Sequence, residues 1–147
     1  MLTQTLTGSY EFGRALSKRI KRWRTLTEHS ISQLGISPGE FGVLIALSES
    51  GPQLMVDLAK NQALTQAAIT GIVDSLESLG LAQREPSKTD RRKVRVAITE
   101  KGEGEVRKGI RLYKKFIEKA TRHMGAREMS TVLELLDVMI ATVEKDM

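Results

Sequence analysis

At Gly80 the hydrophobic period of the chain changes, and this change limits the folds open to it. Before Gly80 apolar residues recur every three or four positions. From Leu81 to Ile98 the period falls to about two, and after Thr99 the helical spacing returns. The expected fold is mainly α, with one β-hairpin set between helices.

The helical part reads in order. Leu16, Ile20, Trp23, Ile31 and Leu34 step by threes, fours or their multiples, which predicts a long amphipathic helix over 12–34. Ser37-Pro38-Gly39-Glu40 has the form of a capping box: a hydroxyl N-cap, Glu three residues on, and Pro at N1, where its missing N–H is not needed. The helix it opens buries Phe41, Leu44, Ile45 and Leu47 and stops at Ser50-Gly51-Pro52. A short helix over 55–61 follows, with Leu58 and Ala59 inward, then a turn through Gln62, Ala63 and Leu64. Thr65 caps the next helix, which buries Ile69, Ile72 or Val73, and Leu76 before Gly80 closes it. Two short helices joined by a tight turn make a helix-turn-helix.

Leu81-Ala82-Gln83-Arg84 and Val94 to Ile98 then read as the strands of a hairpin, with Glu85 to Lys93 as a polar, mostly basic loop. A helix-turn-helix followed by a basic hairpin is a winged helix-turn-helix. Beyond Thr99, Val106, Ile110, Tyr113, Ile117, Ala120 and Met124 form a heptad seam. The last helix carries Met129, Val132, Leu133, Leu136, Met139 or Ile140, and Val143. So small a domain cannot cover both stripes, so the terminal helices are expected to pack against a second copy of the chain. The expected organisation is 1–34 as an N-terminal dimerisation helix, 35–100 as the winged DNA-binding domain and 101–147 as C-terminal dimerisation helices.

Composition narrows the function. The 147 residues carry 23 Lys plus Arg against 18 Asp plus Glu, a formal net charge of +5, which favours a polyanionic partner. The excess is local: Arg14 to Arg24 holds six basic residues and no acid, and Lys88 to Arg95 holds five against one. Without cysteine, a disulfide framework, a thiolate zinc site and a thiol nucleophile are excluded. His29 and His123, the only histidines, have no carboxylate cluster at ligand spacing, so neither a metal nor a cofactor is expected. No Gly-rich phosphate loop, Gly-x-Ser-x-Gly or paired carboxylates suggest an enzyme. Neither a signal segment at Met1 to Tyr10 nor a membrane-length apolar run is present, so a cytoplasmic protein with no membrane partner is expected.

Leu76-Glu77-Ser78-Leu79-Gly80-Leu81 with Arg84, then Asp90-Arg91-Arg92, then Ile98-Thr99-Glu100-Lys101-Gly102 make a specific, ordered set. They resemble the Leu-Glu-x-x-Gly-Leu, Asp-x-Arg and Leu-Thr-x-x-Gly signatures of the MarR family of winged-helix transcription regulators, its archaeal members above all. The similar layout covers nearly the whole chain. The resemblance implies a homodimer whose terminal helices interlock, whose recognition helices enter successive major grooves of double-stranded DNA, and whose wings reach the flanking minor grooves.

On this resemblance Thr65, Gln66, Ala67 and Thr70 are the groove-facing residues of the recognition helix, a placement that geometry also favours. Gln can bond adenine N6 and N7, and a Thr or Ala methyl can touch the thymine methyl; the competing reading is that Thr65 only caps and the others are solvated. In the wing, Lys88, Arg91, Arg92 and Lys93 surround Asp90; the resemblance implies that Arg92 enters the minor groove while Asp90 orients its neighbours. Related archaeal regulators hold small aromatic anions such as salicylate between the dimerisation helices and the winged domain. Lys18, Lys21 and Tyr113 are similar to residues lining that pocket. Lys18 and Lys21, at i and i+3, could converge on a phenolic or aromatic carboxylate, or they are simply exposed lysines beside a seam tyrosine.

Three departures from the family pattern stand out. The recognition helix holds Asp74 and Glu77 but no Lys or Arg, Leu54 stands where a capping Ser or Thr is common, and Ala63 replaces a turn Gly. The expected function is therefore a DNA-binding repressor with weak base readout. The alternative is an architectural DNA-binding protein of the same fold, without preferred site or effector. A helical protein-interaction adaptor remains a third class, and it requires idle wing arginines.

Overall fold

The computed structural model describes residues 8–90 and 92–147, so Arg91 of the predicted wing lies outside the described residues. The elements run α1 (Ser9–Ser30), a 3-10 turn (Ser32–Leu34), α2 (Pro38–Ser50), β1 (Gln53–Leu54), α3 (Met55–Asn61), α4 (Gln66–Ser78), β2 (Ala82–Pro86), β3 (Val94–Ile98), α5 (Glu100–Thr121) and α6 (Ala126–Lys145). The helices begin and end close to the predicted signals. The first helix lies earlier than its periodicity suggested: it begins at Ser9 and ends at Ser30, and the chain tightens into the 3-10 turn before Gly35 turns it in the left-handed region. Apolar spacing does not distinguish a helix from a helix continued by such a turn, because side chains at i and i+3 stay on one side in both.

Both halves of the capping box at Ser37 are made. The Glu40 amide donates to Ser37 Oγ at 3.2 Å and the Ser37 amide to Glu40 Oε2 at 2.6 Å. Thr65 caps α4 by accepting from the Ala68 amide at 3.1 Å. Leu54 opens α3 with no side-chain cap. The turn between α3 and α4 places Ala63 at φ 51°, a left-handed conformation that suits glycine better than alanine.

The sheet has the order β1-β3-β2, antiparallel throughout, with Gln53 opposite Val96 and Ala82 opposite Ile98. Strand β1 has no sequence signal, because two residues are too few to show alternation; its pairing with β3 alone defines it. Strand β2 runs past Arg84 to Pro86, and proline is tolerated there because β2 is an edge strand. The core lies between α2, α3, α4 and the inner sheet face. Val43, Leu44, Leu47, Leu58, Ile69, Val73, Leu76 and Val96 are fully buried in it.

A latch joins the recognition helix to the sheet and to α5. Gly80 turns at φ 70°; its amide donates to Glu77 O at 2.9 Å and that of Leu81 to Leu76 O at 2.8 Å, the paired bonds of a Schellman ending. Thr99 then ties α5 back to this corner, its hydroxyl donating to Gly80 O at 2.7 Å and its amide to Leu81 O at 3.0 Å. The Gly102 amide caps on Thr99 Oγ1 at 3.0 Å, and a Cβ at Gly102 would collide with Leu81 O and lie 2.7 Å from Ile98 Cγ1. Gly109, further along α5, leaves no room for a Cβ against the Phe41 ring.

By its contacts the chain divides into a unit ending at Tyr113 and a second unit, Lys114–Met147. In the second unit, α6 leaves Leu133, Leu135, Val138, Ile140 and Val143 mostly exposed. In the first, Ile20, Trp23 and Leu26 of α1 and Ile110 of α5 are likewise exposed. No described helix is long and apolar enough to cross a membrane.

Candidate nucleic-acid interface

Helix α4 buries Ile69, Val73 and Leu76, so the helical repeat turns Gln66, Ala67, Thr70, Gly71 and Asp74 to solvent as one face. Thr65, Gln66, Ala67 and Thr70 are all exposed there, at and just beyond the N-terminus. The Thr70 hydroxyl donates to Gln66 O at 2.8 Å. With its donor engaged, Thr70 offers a groove a methyl group and an acceptor. Gly71 lies on the same face with open space around the position of its missing Cβ, so packing against another helix of this chain does not account for it.

The two acids of this helix are not free. Arg84, on β2, reaches back across α4: Nη2 lies 2.7 Å from Asp74 Oδ1 and Nη1 bonds Glu77 Oε2. The Arg84 amide adds a bond to Glu77 Oε1 at 2.8 Å. Desolvation opposes the Arg84 charge, but the hydrogen bonds and charges of Asp74 and Glu77 outweigh it and hold the guanidinium pKa above its ordinary value. A helix that carries two acids and no base in sequence is thereby partly neutralised by one arginine from the next element. In the sequence the acids and Arg84 stand apart; the Gly80 turn between α4 and β2 folds Arg84 back onto them.

Glu40 fixes the same helix from behind. Burial raises its pKa, yet hydrogen bonds from Ser75 on α4 and from the amide and hydroxyl of Ser37 together leave it below the usual carboxylate range.

The wing is built differently. Beyond the last ladder pair, the Ser87 amide donates to Lys93 O and the Lys93 amide to Asp90 O, both at 2.9 Å. Asp90 Oδ1 accepts from the Arg92 amide at 3.0 Å, an Asx-type turn that shapes the tip, and lies 3.4 Å from Arg92 Nε. The Arg92 side chain is 92% exposed. Lys88 and Lys93 are exposed too, while Asp90 is half-buried. Asp90 therefore holds the turn while the cations stay available. Lys18 and Lys21 lie exposed on α1, and Tyr113 is exposed on α5.

The family model described as "MarR family" matches residues 36–94, from the start of α2 to the return strand of the wing. An HTH-type transcriptional repressor, NicR, of Pseudomonas putida is 31% identical over 134 residues, spanning 91% of this chain and 85% of the relative. Among solved structures, a cysteine-to-serine mutant of MarR from E. coli, complexed with operator DNA, superposes with a TM-score of 0.78 at 24% identity, covering 93% of this chain and 99% of that one. BpsR of Bordetella bronchiseptica, whose DNA binding is regulated by 6-hydroxynicotinic acid, gives 0.75 at 23% identity, covering 95% and 97%. At these identities the two structures speak for the fold.

Proposed function

The chain belongs to the MarR family of DNA-binding transcription regulators, and from that premise we propose that it is a repressor binding a pseudo-palindromic operator as a homodimer. The observation that carries this reading is the pairing of two exposed surfaces on one winged helix-turn-helix: the uncharged first turns of α4, from Gln66 to Gly71, and a cationic wing held by Asp90. Thr65, Gln66, Ala67 and Thr70 would read base edges in the major groove, with Gln66 suited to adenine and the methyls of Ala67 and Thr70 to thymine. Lys88, Arg91, Arg92 and Lys93 would bind phosphates and the narrow minor groove. The repressor role is supported by the name of the Pseudomonas relative.

The homodimer is supported by the apolar side chains that α1, α5 and α6 leave exposed in the single chain. Stripes of this length on soluble helices are ordinarily covered by a partner. We further propose release from DNA by a small aromatic anion held by Lys18, Lys21 and Tyr113; the regulation of BpsR by 6-hydroxynicotinic acid supports the ligand class. Millimolar salicylate added to a preformed protein-DNA complex should release the DNA, and no release together with no thermal shift would remove this part.

Selection of bound DNA from a random library tests the main reading. One enriched palindrome with half-site centres about 34 Å apart is expected. No enrichment would overturn it in favour of the architectural alternative, to which the missing base on α4 lends some weight.

A further inference from the structure

We propose that the concavity at the base of the wing binds a small, polar organic anion, at a site separate from the α4 face and from Lys18, Lys21 and Tyr113. It has a volume of about 470 Å3 and lies between α3, β1 and the start of the wing loop. That is within the size range of small-molecule sites. Cations enter it from three elements: Lys60 from α3, Lys88 from the wing loop and Arg95 from β3. One carboxylate, Asp57, is in the lining. Asp57, Lys60 and Asn61 stand at i, i+3 and i+4, so α3 turns a single polar face to the cavity.

The donors are partly positioned in advance. Arg95 sits on the central strand opposite Glu85 on one side and Leu54 on the other. Glu85 engages its Nη2 at 2.5 Å, while its buried Nε has no acceptor among the described residues. The guanidinium is thus oriented without having all its donors used. Asn61 is held at the edge of β1 by donating to Gln53 Oε1 at 3.1 Å, and Gln53 in turn donates to Ala46 O at 3.0 Å. The hydroxyl of Thr89 adds a further polar group from the wing. Carboxylate and phosphate oxygens are pure acceptors, and this donor-rich lining suits them. Pro52 and Leu54 are the main apolar contributions, so a hydroxylated or polycarboxylate anion fits better than an aromatic ring.

Such a site would act on DNA binding through Lys88, which lines the cavity and also belongs to the proposed wing contacts. An anion bridging Lys60, Lys88 and Arg95 draws Lys88 inward and withdraws it from phosphate. This consequence rests on the DNA-binding reading; occupancy of the cavity does not.

Citrate serves as the probe, added to the full-length chain at constant ionic strength with chloride as the control. Amide NMR should show saturable shifts at the Asn61 side chain and at Thr89. Lys60→Met should weaken the binding and Asp57→Asn should tighten it. Equal shifts with chloride, shifts centred on Arg14 to Arg24, or indifference to both substitutions would each overturn the site. In a second arm, citrate should lower the DNA affinity of the unmodified chain by about tenfold more than that of Lys60→Met, a difference readily resolved by anisotropy. If Lys60→Met weakens DNA binding while citrate moves neither Asn61 nor Thr89, the cavity contacts DNA phosphate and the effector proposal falls. If citrate binds as expected but no DNA is bound, the site stands and the DNA-binding role of the wing falls.

Discussion

The outer face of α4 and the wing are both exposed on one small fold, yet they carry opposite chemistry. On α4 the exposed residues from Gln66 to Gly71 are neutral, and the acids beyond them, the exposed Asp74 and Glu77, are paired with Arg84 from the next strand. The wing has one structural acid, Asp90, and the exposed cations Lys88, Arg92 and Lys93. Base edges are read by hydrogen-bond pattern and methyl contact, while phosphates are bound by charge. Dividing these tasks between two elements predicts a regulator whose affinity depends steeply on salt and whose sequence preference is modest.

The strongest way to break this division is to remove Arg84. Arg84→Ala should free Asp74 and Glu77 to repel phosphate and should lower stability by about 1 to 2 kcal/mol, a figure kept small because Asp74 is 61% exposed. DNA affinity should fall more than tenfold, about 1.4 kcal/mol or more. Adding Asp74→Asn should restore part of the affinity. Chemical unfolding and a mobility-shift titration measure the two effects, and unchanged affinity would show that these acids never faced DNA.

Next in size is the wing. Arg92→Ala should weaken binding by roughly 1 to 3 kcal/mol on every sequence tested and reduce the salt slope by about one. Gln66→Ala makes the opposite signature: a loss of roughly 1 to 3 kcal/mol confined to the preferred sequence, with the salt slope unchanged. Competition with a base-substituted operator separates the two, and a uniform loss from Gln66→Ala would collapse the contrast between the elements. The smallest effect is at Thr70. Thr70→Val keeps the methyl and should change affinity little, whereas Thr70→Ser, which removes the methyl that a groove would bury, should cost about 0.8 kcal/mol. The reverse order would mean that the hydroxyl, and not the methyl, is read.

Much of this is legible in the sequence. Ser37 and Thr65 cap where hydroxyl and carboxylate spacing require, and Gly80 ends α4 because the left-handed turn there needs no Cβ. The residues that carry the family resemblance prove to be mainly structural. Glu77 and Arg84 bond each other, and Gly80, Leu81, Thr99 and Gly102 form the latch between α4, the sheet and α5. That explains why a distinctive motif identifies the fold while saying little about which bases are read. Strand β1 and the Arg95 cavity were not legible, since both arise from segments about forty residues apart that no local period connects.

By itself the sequence determined the order and type of the elements, because helical period, caps and turns are local properties of neighbouring residues. It also determined where the positive charge lies along the chain. Only the tertiary structure decided what that charge is paired with. Arg84 partly neutralises α4, Arg92 meets Asp90 alone among the described residues, and Arg95 is half engaged at the wall of a cavity. The physical reason is that an ion pair needs two charges within about 4 Å, and separation in space is set by how strands and helices pack, not by position in the chain.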